Sequence, residues 1–212
     1  MSMTPHIYRG RGVYWGSEVF DLIVSWAVLT FSFALVMQHD LRLLHISLLY
    51  SSVGVGTAFL FHELAHREVA KAYDLVARYR AWYLGLMITL AIALLNIAVR
   101  LPILFAAPGA VIIYAYWGRV DPHTELRIAE AGPLMNIALG VGAWLLLTVV
   151  PVEAFVAREL IYYVARINAW LAFFNILPLP PLDGSRIFRR SLIEWSVIFI
   201  VSVVMLRLIV RP

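Results

Sequence analysis

Residues 41–66 read LRLLHISLLYSSVGVGTAFLFHELAH, an apolar run from Leu41 to Phe61 that passes without a break into His62-Glu63-Leu64-Ala65-His66. The run holds no Asp, Glu or Lys, and about 20 such residues suffice to carry a helix across ~30 Å of hydrocarbon. On a helix, positions i and i+4 share a face, so His62 and His66 can reach one zinc ion together. Glu63 stands beside the first of them, where a carboxylate can act as general base on a metal-activated water. Ionisable side chains placed against hydrocarbon are costly and mark functional sites. The stretch therefore predicts a membrane helix that ends in chemistry. The small residues ahead of the motif, Gly54, Gly56, Thr57 and Ala58, suit close helix packing.

Working outward, six further apolar stretches appear, at Val19–Met37, Trp82–Val99, Leu101–Trp117, Ala129–Val150, Leu160–Leu177 and Ser191–Val210. The Leu101–Trp117 stretch is short and carries Pro102, Pro108 and Gly109, which predicts a broken or re-entrant segment. The expected fold is an all-α polytopic membrane protein of six or seven spans. It forms one integral-membrane domain over residues 1–212, with its catalytic core from about Gly54 to Arg190. The whole composition agrees: 62% of the 212 residues are hydrophobic and 14% charged. A soluble domain carries about 25% charged residues, and a disordered chain has low hydrophobicity, so neither class fits. There are no cysteines, which excludes disulfides and thiolate metal sites. The first eighteen residues are polar and Gly-rich and do not read as a signal peptide.

The net charge of +4 does not imply nucleic acid. Its basic residues lie in the connections, with Arg67, Lys71, Arg78 and Arg80 after the second stretch and Arg186, Arg189 and Arg190 after the sixth. Positive charge accumulates on the cytoplasmic side, so the N-terminus and the His62–His66 end are expected to face the cytoplasm, in a prokaryotic plasma membrane.

A catalytic zinc takes three protein ligands and keeps one open position. Two carboxylates can supply the third: Asp183, in the Pro-rich run Asn175-Ile-Leu-Pro178-Leu-Pro180-Pro181-Leu182-Asp183-Gly184, and Glu130, in Arg127-Ile-Ala-Glu130-Ala-Gly132-Pro133. Either must lie on the same side of the membrane as His66, which requires an even number of crossings between them. For Asp183 this holds only if Trp82–Val99 and Leu101–Trp117 act as a pair, both crossing or both turning back. Crossing number leaves Glu130 open as well. Local chemistry favours Asp183, because a Pro-rich run cannot stay helical and such backbone at membrane depth lines a cavity. Glu130 has a plainer use, as a partner of Arg127 near a helix start.

Three separated elements resemble the site-2 protease family of intramembrane zinc metalloproteases. They are Phe61-His62-Glu63-Leu64-Ala65-His66, Ala131-Gly132-Pro133-Leu134-Met135-Asn136, and Asn175-x-x-Pro178-x-Pro180-x-Leu182-Asp183-Gly184. The resemblance implies one zinc per chain held by His62, His66 and Asp183, with Glu63 as catalytic base. It implies substrates that are membrane proteins cut in or near a transmembrane helix, and possible substrate or oxyanion contacts from Asn136 and Asn175. The chain leaves no room for the added regulatory domain that many relatives carry. The region around Phe105–Val111 is expected to form a loop or an extended edge element. Two other readings remain open at this stage: a membrane zinc protease of another family completed by Glu130, and a non-enzymatic metal or ion transporter lined by the same residues.

Overall fold

The computed structural model describes residues 17–38, 41–99, 106–114, 120–151 and 153–209. Helix α1 (Glu18–Met37) is opened by Ser17, whose hydroxyl accepts from Phe20 N at 3.1 Å. A single 29-residue helical rod, Leu44–Ala72, follows. It consists of α2 (Leu44–Val55), a π-turn over Gly56–Leu60, and α3 (Phe61–Ala72), which carries the His62–His66 motif. The chain continues through β1 (Val76–Ala81), α4 (Tyr83–Val99) and β2 (Gly109–Tyr114). It ends with α5 (Pro122–Val149), α6 (Phe155–Asn175), the short α7 (Asp183–Arg190) and α8 (Leu192–Ile209).

Helices dominate, and among the described residues four are long and apolar enough to cross a membrane: α1, the α2–α3 rod, α5 and α8. Their outward faces carry exposed large apolar side chains, such as Val19 and Phe20 on α1 and Ile193 and Ile200 on α8. Such faces suit lipid and would suit water poorly. Helix α4 is apolar but shorter, with 17 residues, and α6 carries Arg158, Glu159 and Arg166 along its length.

The stretch read as Leu101–Trp117 is not a helix where it is described. Residues 109–114 form β2, antiparallel to β1, in register from Val76 opposite Tyr114 to Ala81 opposite Gly109. Residues 101–105 and 115–117 lie outside the described residues. Gly109, with its missing Cβ, lets β2 press onto the Arg80 carbonyl and the Tyr79 ring, where any side chain would collide. The expected pairing of the two stretches has a visible basis. Trp82 N donates to Pro108 O at 2.8 Å just beyond the last strand pair, so the chain leaves at residue 82 and returns to the same place at residue 108.

The sheet packs on α1 and α3. Two carboxylates at the start of α1, unexpected in an apolar helix, hold it there. Glu18 accepts from Tyr79 N at 3.1 Å and from Arg67 at 3.3 Å, and Asp21 accepts from the Tyr83 hydroxyl at 2.7 Å. The core beneath joins Leu29 and Phe33 of α1, Val55 and Phe59 of the rod, Tyr79 of β1, and Ile167 and Leu171 of α6. Gly54 allows the rod to sit directly on α6: a Cβ there would meet Ile167 and the Tyr163 carbonyl. That close approach sets what the π-turn two residues later can touch.

Candidate metal centre

His62 and His66 lie one turn apart on α3, with ring centroids 4.6 Å apart. Asp183 is the first residue of α7, delivered by the Pro-rich loop after α6. Three contacts fix that loop. Trp195 Nε1 donates to Ile176 O at 2.8 Å, Ser185 Oγ donates to Leu182 O at 2.8 Å, and Gly184 is packed so tightly on Ile176 that a Cβ would run into its carbonyl. The result is a compact triangle. His62 Nε2 and His66 Nε2 are 3.0 Å apart, and each is 3.1 Å from Asp183 Oδ2. All three residues are buried.

The outer nitrogens of the two rings decide what these atoms carry. His66 Nδ1 lies 2.6 Å from the Ile128 carbonyl, which can only accept, so Nδ1 holds a proton and, in the neutral ring that a metal requires, Nε2 is the bare nitrogen. His62 Nδ1 lies 2.6 Å from Asn136 Oδ1. The amide nitrogen of Asn136 is turned away to donate to Ala58 O at 2.8 Å, so Oδ1 accepts and His62 Nε2 is bare as well. With both rings neutral, as metal ligation requires, two imidazole lone pairs and a carboxylate oxygen converge. They repel one another unless a cation lies among them, and each ring is fixed from behind as metal-binding histidines are. The donor set of two imidazoles and one carboxylate fits Zn2+. A tetrahedral ion with bonds of ~2.0–2.1 Å would space its ligands at roughly 3.3 Å, close to the observed triangle.

Glu63 is buried at the same cavity, and its Oε2 has no hydrogen-bond partner among the described residues. The cavity is lined also by Asn175 and Arg186, by Trp82, and by residues 106–111 of the return segment and β2. Arg186 Nη1 is 3.8 Å from Asp183 Oδ1, a longer contact than those made by the Oδ2 atom facing the histidines. Asn136, expected to meet substrate, is fully buried, with its amide spent on His62, Ala58 and Asn168. Asn175 lies on the cavity wall. Glu130 is elsewhere. Its Oε2 accepts from Arg127 at 2.8 Å, and Arg127 also reaches Glu194, so the alternative third ligand is an ion-pair partner between α5 and α8. Among the described residues, the group able to hold a metal is His62, His66 and Asp183.

A family model described as peptidase family M50 matches residues 151–204, from the connection before α6 into α8, and so includes Asp183. A Methanocaldococcus jannaschii protein, MJ0611, provisionally named a zinc metalloprotease, is 35% identical over 185 residues, covering 85% of this chain and 88% of the relative. The chain belongs to peptidase family M50. This is the site-2 protease family named by the three sequence motifs. A second M. jannaschii protein, the zinc metalloprotease MJ0392, is 27% identical over 166 residues, covering 77% of this chain but 41% of that longer relative. No solved structure matches the chain. Membership of M50, with the names of these relatives, supports a zinc metalloprotease, and the apolar helices suggest that it is integral to a membrane.

Within this M50 chain the Gly-Pro element of α5 has a steric purpose. Gly132 lies flat against both imidazoles, and a Cβ there would run into ring atoms of His62 and His66. Pro133 follows inside the helix, where it removes one backbone hydrogen bond. We expect Gly132→Ala to lose most bound zinc while the helical circular dichroism is retained. Wild-type zinc content in that variant would show that the rings have room to move.

Sequence reasoning missed three parts of the site: the Ile128 carbonyl, the π-turn and Asn168. A backbone acceptor leaves no trace in residue identity. Asn168 could have been noticed as an amide inside the Leu160–Leu177 apolar stretch. Thr57 and Ala58, read as packing residues, both hydrogen-bond into the polar cluster.

Proposed function

We propose that the chain is an intramembrane zinc metalloprotease that hydrolyses peptide bonds in or near transmembrane segments of other membrane proteins. The convergence of His62 Nε2, His66 Nε2 and Asp183 Oδ2 within an apolar helix bundle carries this reading. In it those three residues hold the metal and Glu63 is the catalytic base. When bound, zinc supplies Lewis-acid chemistry, polarising a carbonyl and making water acidic enough to lose a proton near neutral pH.

The chain's own groups do the rest. The unpartnered Glu63 Oε2 takes the proton of the attacking water and returns it to the leaving amine. A helical amide shields its carbonyl, so the substrate must unwind locally before it can react. β2 pairs with β1 along one edge and has no strand on the other among the described residues, so an unwound segment could be received there by strand addition. In this reading Asn175, on the cavity wall, hydrogen-bonds its backbone. In the same reading Trp82–Val99 and Leu101–Trp117 act as a pair, both crossing or both turning back, so that His66 and Asp183 open on one side. The Arg and Lys residues that follow His66 and Asp183 favour a cytoplasmic opening.

The test is cleavage of a model transmembrane substrate by the purified chain in lipid. Products should form, vanish on chelation and return with added zinc. A zinc-loaded chain that cuts none of a panel of transmembrane substrates would overturn the proposal.

A further inference from the structure

We propose that Asn168, on α6, is a positioning residue for the metal centre: it fixes the Asn136 amide and thereby the nitrogen that His62 presents to the cluster. This rests on the zinc site proposed above. An amide can turn end for end. If Asn136 did so, its NH2 would face His62 Nδ1, which would then have to accept. The imidazole proton would move to Nε2 and occupy the lone pair that the metal needs.

What prevents the turn lies behind Asn136. Its Nδ2 donates to Ala58 O at 2.8 Å and to Asn168 Oδ1 at 3.0 Å. Asn168 is held in the same way. Its Nδ2 donates to Val164 O at 2.9 Å and to Thr57 Oγ1 at 3.3 Å. The Thr57 hydroxyl donates in turn to Gly54 O at 2.9 Å or Val53 O at 3.1 Å, which leaves its oxygen as the acceptor. The polarity of the chain is thus imposed by backbone carbonyls, which cannot reverse. Asn136 and Asn168 are both fully buried, so water cannot stand in for a lost partner. Thr57 and Ala58 both belong to the π-turn, a widened turn of the kind found at functional sites. The rod carrying His62 therefore also carries the far anchors of its own orientation.

The plainer role for such an amide is to join helices. Three readouts on the full-length protein separate the two roles. They are zinc affinity by chelator competition, the thermal midpoint of the zinc-free protein, and nitrogen-15 spectra of the zinc-free histidines. Asn168→Leu should weaken zinc binding about 10-fold or more, within the 10–100-fold typical of outer partners of metal ligands. It should also convert the His62 signal from one tautomer to a mixture. The double variant with Asn136→Leu should bind no worse than Asn136→Leu alone. If Asn168→Leu lowers the midpoint but leaves zinc affinity and the His62 signal unchanged, the residue only joins helices and the inference fails. Additive losses in the double variant would also overturn it. Should Asn168→Leu not fold, Thr57→Val asks the same question from the far anchor: a smaller loss of affinity is expected, and an unchanged His62 signal would refute the relay. Failure of the zinc reading looks different, as equal zinc binding by wild type and His62→Ala.

Discussion

Glu63→Gln is expected to lower cleavage by a factor of about 10²–10⁴ while the chain keeps its zinc. The two effects separate because Glu63 stands beside the ligand triangle without belonging to it. Its Oε2 has no partner among the described residues, so replacing the carboxylate by an isosteric amide breaks no structural hydrogen bond at that atom. The loss is the ability to accept a proton from water and deliver it to the leaving nitrogen. Rate measurements under single-turnover conditions, paired with metal analysis, give both numbers from one preparation. Equal rates for the two proteins would remove Glu63 from the mechanism and favour a metal- or ion-conducting role for the same residues.

Asp183→Ala is expected to abolish stoichiometric zinc binding, a larger loss than the 10–100-fold seen for outer partners, because it removes a ligand outright. Two neutral imidazoles would remain, without the anionic donor that both now face at 3.1 Å. The fold should survive. The loop is pinned by Trp195 on Ile176, by Ser185 on Leu182 and by the packing of Gly184, none of which uses the Asp183 side chain. Glu130→Ala is the matched control. It removes an Arg127 partner and should leave one zinc per chain. Full zinc in the Asp183 variant, or its loss in the Glu130 variant, would reverse the assignment.

Much of this site is legible in the sequence because metal chemistry restricts residue type and helices restrict spacing. His62, Glu63 and His66 can be placed on one helix turn from five letters. Asp183 is favoured over Glu130 by its Pro-rich surroundings, crossing number leaving both open, and the structure brings it onto both histidines. The failures have a common physical origin. The Leu101–Trp117 stretch is as apolar as a helix, and its Pro108 and Gly109 announce a break, but that residues 109–114 pair with β1 is out of sight, because their partners lie 28 to 38 residues earlier, beyond the reach of local periodicity. Glu18 and Asp21 look like intrusions in an apolar helix until the backbone and hydroxyl donors of β1 and α4 are in view. The amide of Asn136 invites a substrate contact on chemistry alone. Only the three-dimensional path of α6 shows that Asn168 and the π-turn already occupy it.

The return of the chain to its starting point at residues 82 and 108 bears on how this architecture tolerates change. Trp82 and Pro108 are hydrogen-bonded neighbours, so the polypeptide between them is a closed detour whose two stems are adjacent, with α4 resting on α1. A change confined to that detour, away from the Tyr83–Asp21 contact and the cavity wall at residues 106–108, leaves the side of the membrane on which α5 begins unaltered. The detour is therefore a natural grafting point, where a foreign segment can be inserted without inverting the second half of the protein. The half that carries Asp183 would still arrive opposite the half that carries His62 and His66.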